Sequence, residues 1–283
     1  MSTKANCIKS QTAHAFLVLL TFLGAGVFVL PLYWMLRSSL MNMNDLFARP
    51  LRLWPTVLEF ANYTRSLGEM DFSRQFANSI LIVIPVVSGT VITSSLAAFG
   101  FARLRFPLRN TLFSMVLSTM MLPSAVTLIP VFIAWHKVGL VGTFAPLIIP
   151  AWFGGGAYFI FMLRQFFLTI PRDLEEAAII DGAGYLRIYL RIMLPLIKPA
   201  LVVVALFSFI GQWNEFFFTL IYLGSKEALY TLTLGLYAFK GVFQTKYGFI
   251  MAAATVVTLP TFIFFLLGNR YFVEGITMTG IKG

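Results

Sequence analysis

Six long apolar stretches run nearly end to end along the 283-residue chain and leave no room for a soluble domain. A helix needs about 20 largely apolar residues to cross the roughly 30 Å of hydrocarbon in a bilayer. Because backbone polar groups in hydrocarbon must be satisfied within their own segment, each stretch predicts a transmembrane helix. The predicted spans are residues 15–36, 76–102, 110–135, 140–163, 199–223 and 248–270.

Composition agrees with a chain that faces lipid. Only 11% of the residues are charged and 59% are hydrophobic, whereas a soluble domain carries about 25% charged residues. The sequence therefore predicts an all-α membrane protein, with one transmembrane domain over residues 1–283. Cys7 is the only cysteine, which excludes an intrachain disulfide and a cysteine-based metal site.

The positive charge follows the membrane topology. The net charge of +10 could suggest nucleic acid, but Lys and Arg gather at span ends and in cytoplasmic loops, so we expect no nucleic-acid partner. Arg103, Arg105 and Arg109 crowd one short loop, and five more cations lie in residues 164–198. This density predicts cytoplasmic termini, with the loops 37–74 and 224–247 outside.

One loop between spans, residues 169–195, has the pattern of a short helical hairpin. Pro171 suits a first helical turn, where no N–H is needed, and Asp173 and two glutamates place negative charge at the positive end of the helix dipole. Gly182 and Gly184 then end or turn the helix. A second short helix is predicted from Tyr185 to Arg191.

This hairpin predicts a docking element for a cytoplasmic partner. Its small residues permit close approach of another surface, and its acidic residues, predicted to be exposed, offer ion pairs. The alternative is an amphipathic connector on the lipid headgroups, which would carry Trp, Phe or Leu opposite Lys and Arg. The candidate docking residues are Glu175, Glu176, Ala177, Ala178, Asp181, Gly182 and Ala183.

The same residues resemble a known motif. Glu176-Ala177-Ala178, then Gly182, Ile192 and Leu194-Pro195, match the EAA loop of bacterial ABC importer permeases at every fixed position. The segments 101–107, 213–214 and 273–283 are similar to the carbohydrate branch of that family, specifically its maltose-type second permease. The resemblance covers roughly residues 75–283.

The resemblance implies a type I ABC importer permease, a multi-pass protein of the bacterial inner (plasma) membrane whose EAA segment is a coupling helix seated in a cytoplasmic ATPase subunit. It implies that Glu176 pairs with a basic group there. The implied partners are a second homologous permease, two ABC ATPase subunits and an extracytoplasmic solute-binding protein. ATP and Mg²⁺ then bind the ATPase subunits, and this chain is not an enzyme and holds no cofactor.

Polar residues inside the fifth predicted span are candidates for the substrate pathway: Gln212, Trp213, Asn214 and Glu215. An ionisable residue in a span usually faces a cavity or a partner. Amide side chains both donate and accept hydrogen bonds, as sugar hydroxyls require. The alternative is that these residues join helices to one another.

Three other functions stay open on the residues alone. A permease for another polar solute, such as a glycerol phosphate, would favour additional Arg or Lys inside the spans. An autonomous secondary transporter or channel would favour inverted repeats or proton-relay carboxylates. A membrane enzyme is the weakest of the three, because the sequence shows no constellation of catalytic groups. The reading that we favour is the permease subunit of an ATP-driven sugar or oligosaccharide importer.

Overall fold

The structure, a computed structural model, describes the backbone of residues 2–238 and 247–280 and the side chains of residues 16–237 and 247–269. This part of the chain is helical and contains no strand. The α-helices are α1 Ser2–Ser39, α2 Met43–Leu46, α3 Ala61–Glu69, α4 Phe72–Arg103, α5 Arg109–Ser118, α6 Ser124–Lys137, α7 Ala145–Ile148, α8 Ala157–Thr169, α9 Asp173–Ile180, α10 Tyr185–Ile188, α11 Leu194–Leu196, α12 Lys198–Trp213, α13 Phe217–Leu223, α14 Leu232–Ala238 and α15 Tyr247–Gly280. Short 3₁₀-helices cover Thr119–Met121, Ile149–Trp152 and Glu227–Leu229, and a π-helical turn covers Tyr189–Met193.

Four helical segments are long and apolar enough to cross a membrane: Phe16–Ser39, Phe72–Arg103, Ala145–Thr169 and Tyr247–Asn269. Two further helix pairs pass the same test only together, and each pair is bent. The part of the chain that the structure describes therefore holds four candidate spans, or up to six if each bent pair is one span. The bounds differ from the predicted ones most clearly in the third, fourth and fifth spans.

The third predicted span, 110–135, is two helices at 99° to each other rather than one. The helix that begins at Arg109 ends at Met121, and the next begins at Ser124. Leu122 and Pro123 are both extended between them. The physical reason is Pro123, because a proline disfavours the helical conformation of the residue before it and has no N–H to donate.

The fourth predicted span, 140–163, begins later and ends later in the structure. It starts at Ala145, is interrupted at Gly154–Gly156 and runs on to Thr169. Gly155 has φ +64°, and a Cβ there would lie 2.6 Å from the carbonyl oxygen of Thr90, so the backbones touch where only glycine fits. The helix continues past Arg164, whose guanidinium lies over the Phe113 ring.

The chain divides into two compact units, Met1–Asp71 with Ala238–Thr258 and Phe72–Tyr237 with Leu259–Gly283. The single domain predicted over 1–283 stays a prediction. Residues 239–246 of the predicted external loop 224–247 lie outside the described residues.

In the first unit, the segment after α1 is held by polar contacts around Asp45. The Thr56 side chain donates to the Asp45 carboxylate, and so do the backbone N–H of Thr56 and the guanidinium of Arg52. These contacts, the Thr56 hydroxyl first, lower the pKa of Asp45 below its ordinary value although burial acts against them. The segment therefore has a defined fold of its own.

In the second unit, α4 is the central helix. It packs mainly against α8 and α12, and its last turns lie in a buried cluster with residues of α8 and of the predicted docking loop. The members of this cluster that are at most 3% exposed are Ala98, Phe99, Ala102, Leu163, Phe167, Ile188, Met193, Ile197, Ala200 and Val204. The loop 169–195 is thus packed onto the end of α4.

Candidate functional site

The predicted docking helix is present as α9, Asp173–Ile180. Pro171 lies two residues before the helix begins, and Asp173, Glu175 and Glu176 occupy the first turn, where the positive end of the helix dipole favours carboxylates. Negative charge at this end stabilises a helix that is only two turns long.

Gly182 ends α9, as its sequence position predicts. It has φ +78°. Its N–H donates to the carbonyl of Ile179 at 3.0 Å, and the N–H of Ala183 donates to the carbonyl of Ala178 at 2.9 Å. This pair of bonds is the Schellman arrangement, which satisfies the last carbonyl groups of a helix and needs a residue that tolerates positive φ. The helix therefore stops at a fixed point.

The seven candidate docking residues do not all face outward. Glu176, Ala177, Asp181 and Gly182 are exposed, and Ala183 is half-buried. Glu175 is only 9% exposed and Ala178 only 8%. The expectation that Glu175 lies exposed for a partner is wrong, because neighbouring helices of the same chain cover that face.

Glu175 is paired with Arg103, the last residue of α4. Arg103 Nη1 lies 3.7 Å from Glu175 Oε2, and Arg103 is 9% exposed. Arg103 Nη2 also donates to the carbonyl oxygens of Phe167 and, at 2.6 Å, Ile170. One guanidinium therefore joins the ends of α4 and α8 to the first turn of α9.

The second half of the loop is not the regular helix that the sequence predicts. Residues 189–193 form a π-helical turn between α10 and α11. The Tyr189 hydroxyl in this turn shares a 2.8 Å hydrogen bond with the Ser95 hydroxyl of α4, and the Tyr189 ring lies 5.2 Å from that of Phe99. The first residue of the π turn is therefore packed against α4.

Sequence reasoning missed Arg103, Ser95 and Tyr189 as members of this site. From the sequence, Arg103 is assigned only to the group of cations in a cytoplasmic loop, although it belongs to the segment 101–107 that carries part of the resemblance. Ser95 lies within an apolar span and Tyr189 within a short predicted helix, so neither has a local signal. The contacts between them depend on how α4 meets the loop.

The fifth predicted span, 199–223, breaks at the polar residues. α12 ends at Trp213, and α13 begins at Phe217. The structural 80° bend lies earlier, at Ile197, between the loop and α12. The Glu215 side chain accepts a 2.9 Å hydrogen bond from the N–H of Phe218, in the first turn of α13, and so caps that helix. Glu215 therefore has a structural role at the break.

The four predicted pathway residues lie in different surroundings. Trp213 is 4% exposed, stacks on Phe209 with 5.4 Å between ring centroids and meets the edge of Phe76. Asn214 is exposed and donates to the carbonyl of Ile210 at 2.8 Å. Gln212, like Glu215, is partly exposed. Only Trp213 lines the apolar groove of about 610 Å³ beside α4, α12 and α15.

Comparison with known proteins gives a family match over most of the chain. The model of the family "Binding-protein-dependent transport system inner membrane component" matches residues 73–277. The arabinooligosaccharides transport system permease protein AraQ of Bacillus subtilis is 32% identical over 260 residues, 91% of this chain and 92% of AraQ. The sn-glycerol-3-phosphate transport system permease protein UgpE of Agrobacterium fabrum is 32% identical over 276 residues, 94% of this chain and 95% of UgpE.

A solved structure has the same fold. A chain of a bacterial ABC transporter involved in the import of the acidic polysaccharide alginate superposes with a TM-score of 0.78, over 90% of this chain and 94% of that one. The two sequences are 24% identical. The likeness establishes the architecture of the membrane domain.

Proposed function

The chain belongs to the family of binding-protein-dependent transport system inner membrane components, and from this premise we propose that it forms, with a second homologous permease, the pathway for uptake of a sugar or oligosaccharide. The predicted family and fold class, an all-α permease of a type I ABC importer, are confirmed. As a member of this family, the chain is an integral inner-membrane permease and not an enzyme. The family works with ATPase subunits and a binding protein.

The observation that carries the coupling part of the proposal is the outward face of α9. Glu176, Ala177 and Asp181 are exposed there, while Glu175 and Ala178 hold the opposite face against the chain's own core. A helix so held offers a carboxylate and a small side chain to a partner with little loss of side-chain freedom. We propose that this face docks in an ATPase subunit and that Glu176 pairs with a basic group.

The docking proposal is tested at Ala177, because this small residue lies within α9 and its side chain is exposed on the face that we propose docks. Ala177→Trp should abolish co-purification of the ATPase subunits and ATP-driven uptake, while membrane insertion stays normal. Ala177→Ser, which keeps the side chain small, is the matched control and should retain both. Normal uptake by Ala177→Trp in proteoliposomes would overturn the proposal.

The substrate part of the proposal is supported by AraQ, whose name gives arabinooligosaccharides. Gln212, in the last turn of α12, and Asn214, just after it, are neutral amides, which suit hydroxyl groups better than a phosphate. UgpE, whose name gives sn-glycerol-3-phosphate, supports the rival substrate. Uptake of labelled arabinooligosaccharide and uptake of labelled sn-glycerol-3-phosphate, measured separately in proteoliposomes, distinguish the two: uptake of glycerol phosphate alone would overturn the sugar proposal.

The topology proposal follows from the density of cations. With both termini cytoplasmic, α9 faces the ATPase side, and the segment around Asp45 faces the binding protein. Accessibility of single cysteines to a membrane-impermeant maleimide, at Ala177 and at Leu53, tests it in a Cys7→Ser background. Labelling of Leu53→Cys from outside and of Ala177→Cys only after permeabilisation is expected.

A further inference from the structure

Two polar contacts join the coupling loop, residues 169–195, to α4. Arg103 contacts Glu175 near the start of the loop, and Ser95 contacts Tyr189 near its end. Arg103 and Ser95 lie eight residues apart on α4, about 12 Å along a helix. The loop is thus fixed to one helix at two separated points and cannot turn about either of them alone.

Arg103 binds two elements besides its own. Its guanidinium donates to Phe167 and Ile170, at and just after the end of α8, where unpaired helix carbonyls carry partial negative charge. The same group faces Glu175 in the first turn of α9. A planar guanidinium can serve carbonyl groups and a carboxylate in fixed directions, which an ammonium cannot.

Burial makes the loss of either partner of this contact costly. The Arg103 side chain is 3% exposed and the Glu175 side chain 12%. Removing one partner of a buried pair leaves the other charge without compensation and is strongly destabilising. A displacement of α9 that separated the pair would therefore be opposed.

The far end of α4 reaches the break in the fifth predicted span. Phe76, in its first turns, lies with its ring centroid 6.1 Å from that of Trp213, which ends α12. From Phe76 to Arg103 is 27 residues, about 40 Å of helix. One continuous helix thus contacts the coupling loop at one end and a predicted pathway residue at the other.

We infer that Arg103 and Glu175 are a positioning pair that passes the movement of the docked α9 to α4, and through α4 to the break at Trp213. The inference rests on the proposed docking of α9 on an ATPase subunit. It separates the roles of two neighbours: Glu176 holds the ATPase subunit, whereas Glu175 holds α4. Loss of the pair should then uncouple hydrolysis from transport without releasing the ATPase.

The experiment uses the complete complex, with both permeases, the ATPase subunits and the binding protein, in proteoliposomes. The quantity measured is substrate transported per ATP hydrolysed, at equal amounts of assembled complex. Glu175→Gln should lower this ratio about tenfold, within the usual range of coupling between sites, while the ATPase subunits still co-purify. Arg105→Gln, which removes an exposed cation two residues after Arg103, is the matched control and should keep the ratio.

A purely structural role gives a different result. Glu175→Gln would then lower the yield or the Tm, but the complexes that assemble would transport at the wild-type ratio, which overturns the inference and leaves the docking proposal intact. Failure of docking itself shows separately, as normal ATPase binding and uptake in Ala177→Trp. The two failures are therefore distinguishable.

A double-mutant cycle and a milder variant keep the test decisive if Glu175→Gln assembles poorly. Arg103→Gln combined with Glu175→Gln should uncouple no more than either single variant, because the pair acts as one unit. Glu175→Asp, with a carboxylate that is one methylene shorter, should assemble and give an intermediate ratio. An additive double variant, or an unchanged ratio in Glu175→Asp, overturns the inference.

Discussion

Glu175 and Glu176 are neighbours in the first turn of α9, and Glu175 faces the chain's own core whereas Glu176 faces outward. Glu175 is 9% exposed and faces Arg103, while Glu176 is exposed. One residue rotates a helical position by about 100°, so the two carboxylates leave the helix in different directions. Two adjacent glutamates therefore have different surroundings, one beside a guanidinium of the same chain and the other at the surface.

The first prediction concerns the stability of these two positions. Glu175→Ala should lower the free energy of unfolding by about 3 kcal/mol, because it leaves the Arg103 guanidinium buried without its counter-charge. Glu176→Ala is the matched control and should stay within about 0.5 kcal/mol, as for most surface substitutions. Denaturant or thermal unfolding of the purified permease measures both. Equal effects of the two variants would contradict the assignment of faces.

A second prediction concerns Gly155. An alanine there must accept φ +64° and place its Cβ 2.6 Å from the carbonyl oxygen of Thr90, so Gly155→Ala should destabilise the permease by about 2 kcal/mol. At Gly100, within α4, nothing lies within 4 Å of an added Cβ. Gly100→Ala should be neutral or slightly stabilising. The comparison of the two Tm values checks the close contact between backbones.

A third prediction is a pH dependence in the segment after α1. The contacts with Thr56 and Arg52 lower the pKa of Asp45, so they stabilise the segment above the ordinary pKa of an aspartate. This stabilisation is lost as the pH falls through the lowered pKa. Hydrogen-exchange protection of residues 42–56 should therefore decrease between pH 6 and pH 3.

Asp45→Asn provides the control for that pH dependence. The variant should have lower protection at pH 6 and a smaller change on acidification, since it has no carboxylate to titrate. Equal pH profiles of the wild type and the variant would show that another group is responsible.

A fourth prediction separates the two polar residues at the end of α12. Asn214→Leu should change the selectivity of uptake while the ATPase subunits still bind, because it removes an exposed amide and leaves the Glu215 contact with α13 in place. Glu215→Ala should instead lower stability by about 1 kcal/mol, through loss of the cap on α13. Uptake competition and thermal unfolding measure the two effects. Unchanged selectivity in Asn214→Leu indicates that the residue joins helices rather than contacts substrate.

The helix α9 illustrates what the sequence can predict. Its acidic first turn and the glycine at its end are local signals, and both appear in the structure within one or two residues of the predicted positions. The direction in which Glu175 points is not local, because it depends on Arg103, which is 72 residues away along the chain. The sequence located the site, but the packing of α4 against the loop decided which of its residues face inward.

The breaks in the predicted spans likewise combine a local signal, which the sequence contains, with packing contacts, which it does not reveal. Pro123 is a local signal for a break in the helix. The angle of 99° between the two resulting helices depends instead on how they pack. In the fifth span the apolar residues continue past Trp213, so hydropathy alone extends the helix to residue 223. The capping of α13 by Glu215 is a contact that hydropathy does not record.

The π turn at Tyr189–Met193 also affects how this permease tolerates changes in length. Such a turn holds one residue more than an α-helix needs for the same rise. Deletion of a single residue there would restore ordinary winding and leave the hairpin close to its present orientation, so this turn should tolerate a deletion that would rotate the flanking segments of a regular helix by about 100°.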